Sequence, residues 1–263
     1  AKSTKGAELA VGLQQAQLQL ERNQFEQCLA TSLRLKQQFP KHQYVNKMLM
    51  KAHMALNDWK AVLEILPQVN KHKLLPNKET AKLEIKAYGK LIEHMIRSRD
   101  SSSKDPKALI SIWKNVPKNT IKHLDFVPLA HAFIEHLIQL GAYEEAEIEL
   151  RNILPHHFTP ELINLYGWVK GKDPKRQLLF AQDQLKQRPN DAGLLLSLGR
   201  ISMLNNEFIQ AQEYFEASLA QQNSAETRSE LSRLYLAKHE DEKAIEMLRQ
   251  GLGLQLPDLP LPN

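Results

Sequence analysis

One cysteine, Cys28, occurs in 263 residues. That excludes a disulfide within the chain and any cysteine-based metal site, and it fits a reducing compartment. Glycine is also scarce, with 10 in all, and there is no glycine-rich phosphate loop, no Gly-x-Ser-x-Gly elbow and no His-Glu-x-x-His pair. Phosphate cradling, serine-nucleophile acyl transfer and zinc-dependent hydrolysis therefore have no foothold in the sequence. Aromatic residues make up 6% of the chain, and β-branched residues are comparatively few. No apolar run approaches the roughly 18–20 residues of a membrane span. No secretory signal pattern opens the chain. The first residue is Ala1 rather than Met, which leads to the expectation of a processed or excised piece whose upstream anchor is not seen.

What is abundant points one way. Leu, Ala, Gln, Glu and Lys dominate, all strong helix formers, so composition alone favours an all-α fold. The net charge of +5 hides an asymmetry: residues 1–125 carry 22 Lys+Arg against 11 Asp+Glu (+11), and residues 126–263 carry 13 against 19 (−6). By charge alone a basic first half could face an anionic surface such as lipid head groups or nucleic acid; the plainer alternative is a lysine-rich solvated helix face. Nucleic acid is not expected as a partner.

The chain repeats. In residues 192–224, Leu195, Leu198 and Gly199 precede a turn at Asn206-Glu207-Phe208, followed by Ala211, Phe215 and Ser218. Small residues at Gly199 and Ala211 let two antiparallel helices approach, and the large ones fill the space around that contact. This is the logic of a tetratricopeptide unit, whose period is about 34. Leu198, Ala211 and Phe215 recur 33 residues later as Leu231, Ala244 and Leu248. Further units fall at about 127–154, with Ala146 at the small position, and at about 9–40, with Cys28 in the alanine's place. The thiol is thereby read as a small packing residue. Another unit spans about 43–70, with Asn57-Asp58-Trp59 at its turn, and a degenerate one spans about 159–189. Thr159-Pro160, Asp173-Pro174 and Asn190-Asp191 carry helix-start signals.

The expected architecture is an all-α tetratricopeptide-type solenoid, a right-handed superhelix of antiparallel helix pairs. Its parts are two pairs in residues 1–75, an irregular pair in 76–125, regular units in 126–255 and a proline-rich extended tail in 256–263. In the irregular pair, a long helix over Lys78–Arg97 precedes a Ser-rich loop at 98–104 and a short helix capped by Asp105-Pro106.

In such an array the first helices of the pairs line a groove. The register places Tyr44, Lys47 and Lys51 there, then His131 and Glu135, then Arg200 and Met203, and finally Arg233. Cations with apolar patches between them suit an acidic peptide, a carboxylate ligand or a partner helix. His156 and His157 lie in a loop and are the residues that could hold haem iron. No catalytic residue and no resident metal is expected.

The run Asn190–Arg200, the run Ala211–Leu219, and the order of units around the long helix and Ser-rich loop resemble the HemY family. The resemblance implies the tetratricopeptide part of a bacterial inner-membrane protein associated with late haem and porphyrin biosynthesis, its soluble domain facing the cytoplasm. It implies haem-biosynthesis enzymes as protein partners and a membrane tether in an amino-terminal anchor missing from this chain. It also implies a scaffold rather than an enzyme, with a tetrapyrrole carrier or an assembly factor unrelated to haem as the alternatives.

Overall fold

The computed structural model describes residues 2–98 and 106–252. The Ser-rich loop beyond Ser98, the Asp105 cap and the proline-rich tail lie outside the described residues. Among the described residues the chain forms fifteen α-helices and one short 3-10 turn, with no strand. It divides into two compact units, Ala1–Leu129 and Ala130–Asn263. Residues 126–129 carry no charge, so the +11 excess belongs to the first unit and the −6 to the second.

In the first unit, α1 (Lys2–Glu21) and α2 (Phe25–Gln38) form one pair, and α3 (Gln43–Ala55) and α4 (Trp59–Lys71) the next. The long α5 (Asn77–Ser98) packs on α4 and then meets α6 (Lys107–Lys114), the one-turn α7 (Lys118–Ile121) and the 3-10 turn Leu124–Phe126. The boundary between the units falls inside α8 (Val127–Gln139). The second unit continues with α9 (Tyr143–Ile153), α10 (Pro160–Trp168), α11 (Pro174–Gln187), α12 (Ala192–Leu204), α13 (Phe208–Gln221), α14 (Ala225–Ala237) and α15 (Asp241–Gly251).

Five of the turns inside pairs are built alike. Asn23, Asn57, Gly141, Asn206 and His239 each sit in the left-handed region, with φ between 58° and 73°. In each case the next residue donates its amide to a carbonyl five positions back: Gln24 to Gln19, Asp58 to His53, Ala142 to Leu137, Glu207 to Ser202 and Glu240 to Tyr235. This is the Schellman closure, which satisfies carbonyls the helix end leaves open. Asn tolerates this conformation better than most residues; only the turn into α9 uses the residue without a Cβ penalty.

The helix starts read from the sequence hold. Thr159 Oγ1 accepts the Leu162 amide, Asp173 the Arg176 amide and Asp191 the Leu194 amide. The small positions also hold: Cys28, Ala146, Ala211 and Ala244 are all buried in second helices of pairs. Burial pushes the Cys28 thiol up, opposed in part by the nearby Ser32 and Lys51, which suits a packing residue. A Cβ on Gly199 would stand 2.3 Å from the Phe215 ring, so α12 and α13 pack as closely as the repeat requires. Leu248, aligned with the fully buried Phe215, is instead 43% exposed. The reason is positional: α15 is the last described helix, so no later described helix packs on that side.

The degenerate pair α10–α11 departs from the pattern for a visible reason. Its small position holds Gln177, buried at 1%. The Gln177 amide donates to the Tyr166 and Val169 carbonyls, both at 3.0 Å, and accepts the Gly171 amide at 3.1 Å. One side chain here takes over the wiring that the Schellman turn provides elsewhere. Tyr166 completes the arrangement by donating to Glu147 on α9. Burial and the neighbouring carboxylate raise the phenol far above its ordinary range.

Candidate functional site

In the second unit the first-helix face of α10, α12 and α14 carries a layer of interlocked side chains. α10 and α12 nearly touch, because a Cβ on Gly167 would meet the Ser197 backbone at 2.7 Å. Ser197 Oγ donates across to the Ile163 carbonyl at 2.7 Å. This close approach brings Trp168, at the end of α10, over the Arg200 guanidinium, 4.1 Å from its ring centre. Arg200 Nε donates to Glu230 at 2.8 Å, Nη1 to Asn164 at 2.5 Å and Nη2 to Glu226 at 2.7 Å. The second oxygen of Glu230 lies 3.2 Å from Arg233, close enough for charge pairing although outside hydrogen-bond geometry. Three helices are thus joined through one buried cation.

This geometry corrects the reading of Arg200 as a groove cation open to ligand. Its side chain is 3% exposed, and all three of its nitrogens are engaged within the protein. A period-based register tells which face a residue is on, but not whether a neighbouring helix supplies its counter-charge. Met203 is likewise half-buried and packs against the cluster around Phe215 and Leu231. Arg233 keeps 55% of its side chain exposed. Trp168, at the end of α10, and Leu236, one turn after Arg233 on α14, each expose about half their surface. Trp and Arg side chains of this kind dominate binding energies at protein interfaces. Trp168 was not among the residues picked by register. Its signal is that it lies about one repeat before Arg200, inside the unit whose own pattern is degraded.

The remaining candidates are placed as follows. Tyr44, Lys47 and Lys51 lie on one face of α3 at i, i+3 and i+7. Tyr44 is exposed, whereas Lys47 and Lys51 are half-buried and the Lys47 ammonium reaches the Leu74 carbonyl at 3.5 Å. His131 pairs with Glu135 at 3.3 Å on α8. Glu161, at the start of α10, is held below the usual carboxylate range by its own backbone amide and by Thr159, with a smaller contribution from His131. His156 and His157 occupy a loop as expected, but only His156 is solvent-facing, since His157 is buried at 5%. Among the described residues no group of three or more His, Cys, Asp or Glu is arranged to hold a metal ion, and no helix is long and apolar enough to cross a membrane.

With the face described, the chain can be set beside known proteins. No protein-family model matches it. It is similar to Protein HemY of Escherichia coli K12, with 26% identity over 97% of this chain, and equally to Protein HemY of Shigella flexneri. The chain spans 64% of the length of these relatives. The likeness to the HemY family thus runs along nearly the whole of this chain. Among solved structures, MamA 41-end from Desulfovibrio magneticus RS-1 aligns with a TM-score of 0.42 at 15% identity, over 65% of this chain and 95% of its own. YrrB, described as a tetratricopeptide protein with an unusual peptide-binding site, aligns with a TM-score of 0.38 at 16% identity, over 85% and 92%.

Proposed function

We propose that this chain is a non-catalytic protein-interaction scaffold, the soluble region of a membrane-anchored HemY-like protein that gathers enzymes of late haem and porphyrin biosynthesis at the bacterial inner membrane, with this region on the cytoplasmic side. The observation that carries the reading is the first-helix face of the second unit. Its one buried cation, Arg200, is matched by the buried Glu230 and the half-exposed Glu226, while Trp168, Leu236 and the Arg233 head stay exposed. A surface with an aromatic anchor, a leucine and one accessible cation suits a partner helix or an extended segment with an acidic residue. The likeness to Protein HemY supports the pathway and the membrane setting.

The test is affinity capture from bacterial membranes, comparing the native chain with Trp168→Ala/Arg233→Gln. Both side chains lie outside the apolar core, so the fold should survive, which circular dichroism checks. Recovery of late-pathway enzymes by the native chain and their loss from the variant is the expected result. Identical partners on both would remove this face from consideration. Recovery of cell-envelope proteins alone would set aside the haem assignment. A haem absorbance shift that His156→Ala abolishes would replace the scaffold with a tetrapyrrole carrier.

A further inference from the structure

The first unit presents a different surface, on α5. Between Thr80 and Arg97 the exposed positions are 82, 86, 90, 94 and 97, and all of them are basic or histidine: Lys82, Lys86, Lys90, His94 and Arg97. Lys78 extends the same i+4 stripe into the first turn. Residues at this spacing wind slowly around a helix and stay within one half of its circumference. Among the described residues, the acids paired with the stripe are exposed or half-exposed. Glu93 binds Lys90 at 2.7 Å and Arg97 at 2.6 Å, and Asp125 lies 3.5 Å from Lys82. Such pairs are weakly held and open readily to a stronger anion. Lys60, at the start of α4, adds a further cation across a shallow cleft also lined by Asp58, Trp59, Lys90, Glu93, His94 and Arg97, where three cations outnumber two carboxylates.

A second observation lies beside the stripe. Leu124 is 83% exposed in the 3-10 turn, next to Asp125 and its Lys82 partner. Lys118 and Lys122 are exposed just before it. A bare leucine among lysines gains nothing in water, but it suits the boundary between head groups and acyl chains. The same surface is poorly made for a polynucleotide. Its large aromatics, Trp59, Tyr88 and Trp113, are each under 9% exposed, so no Trp or Tyr ring is available for bases to stack on. Its charges are almost all lysine ammoniums, which attract a charged sheet without the planar fork that reads individual phosphates.

We infer that the α5 face, with Leu124 at its edge, is a docking surface for an anionic lipid bilayer. Each lysine held near such a bilayer raises the binding constant by a factor of about five. Leu124 adds roughly tenfold by entering the interface. The inference is independent of which protein the second unit takes, because the test needs only the purified chain and lipid. Its failure would leave the scaffold reading standing.

The chain is sedimented with vesicles of phosphatidylcholine, with and without phosphatidylglycerol. Binding is expected only to the mixed vesicles and should weaken with added salt. Lys82→Gln/Lys86→Gln/Lys90→Gln should reduce it by about a hundredfold, the product of three fivefold steps. Lys5→Gln/Arg22→Gln/Arg34→Gln removes the same charge from α1, α2 and the turn between them and should leave most of the binding intact. Leu124→Ser should cost about tenfold with no change in charge. Equal losses in the two triple variants would reduce the effect to net charge and overturn the assignment to α5. Indifference to phosphatidylglycerol, or a silent Leu124→Ser together with tighter binding to a single-stranded oligonucleotide, would overturn the bilayer as the partner.

Discussion

Replacing Arg200 by methionine removes the one cation that three helices share. Glu226 is 44% exposed and rehydrates, so its loss of a partner costs little. Glu230 is 5% exposed and keeps only the off-axis Arg233, so it becomes a nearly unpaired buried charge. Breaking a buried pair from one side costs about 3–5 kcal/mol, and loss of the Trp168 stack adds about 1 kcal/mol. Arg200→Met should therefore destabilise the second unit by about 4 kcal/mol or more, a large share of a typical domain's 5–15 kcal/mol. Removing the stranded carboxylate as well should reverse most of this: Arg200→Met/Glu230→Leu is expected within about 1 kcal/mol of the native chain, because a buried ion pair and a well-packed apolar pair are similar in stability. Urea unfolding followed by circular dichroism provides the four corners of this double-mutant cycle. A loss below about 1 kcal/mol in the single variant, or a double variant at the sum of the two singles, would refute the reasoning. Arg200→Glu would place a third carboxylate among the existing two, so it tests folding rather than binding.

Two further outcomes follow from the packing. Gly199→Ala drives a methyl group into the Phe215 ring and should cost about 1–3 kcal/mol in a thermal or urea melt, part of it recovered by a second change, Phe215→Leu; an unchanged melt would show that α12 and α13 are not in close contact. Tyr166 is held neutral by burial beside Glu147, so its folded phenol titrates higher than its unfolded one. The stability this contributes is present below about pH 10 and is lost as the pH rises further, because only the unfolded chain then gives up the proton readily. The native chain should therefore lose stability above that pH more steeply than Tyr166→Phe, and superimposable base-denaturation curves would contradict this.

The pairing of helices was legible because it depends on side-chain size at a fixed period. Gly199, Ala211 and Ala244 have few alternative uses, and Asn206 or Asn57 before a polar cap marks the end of a helix. The degenerate unit is visible in the sequence but its cause is not, since nothing in a sequence shows that the Gln177 side chain replaces a backbone turn. The candidate site was only partly legible. Spacing put Arg200 and Arg233 on one face, but their availability depends on acids from the next helix, Glu226 and Glu230, which no period within α12 encodes. Trp168 gained its position through the approach of α10 to α12 at Gly167 and Ser197, a contact between repeats rather than within one. The basic excess of the first unit was visible from charge counting, yet its concentration on α5 emerges only once burial separates the solvent positions from the rest.

The left-handed residues at Asn23, Asn57, Gly141, Asn206 and His239 mean that each of these hairpins carries its own instruction to reverse direction. No neighbour is needed to specify the bend, so a rung can be duplicated, dropped or allowed to drift without the others losing their geometry. A lineage of such chains can change its length and its surface while the ladder itself stays in register.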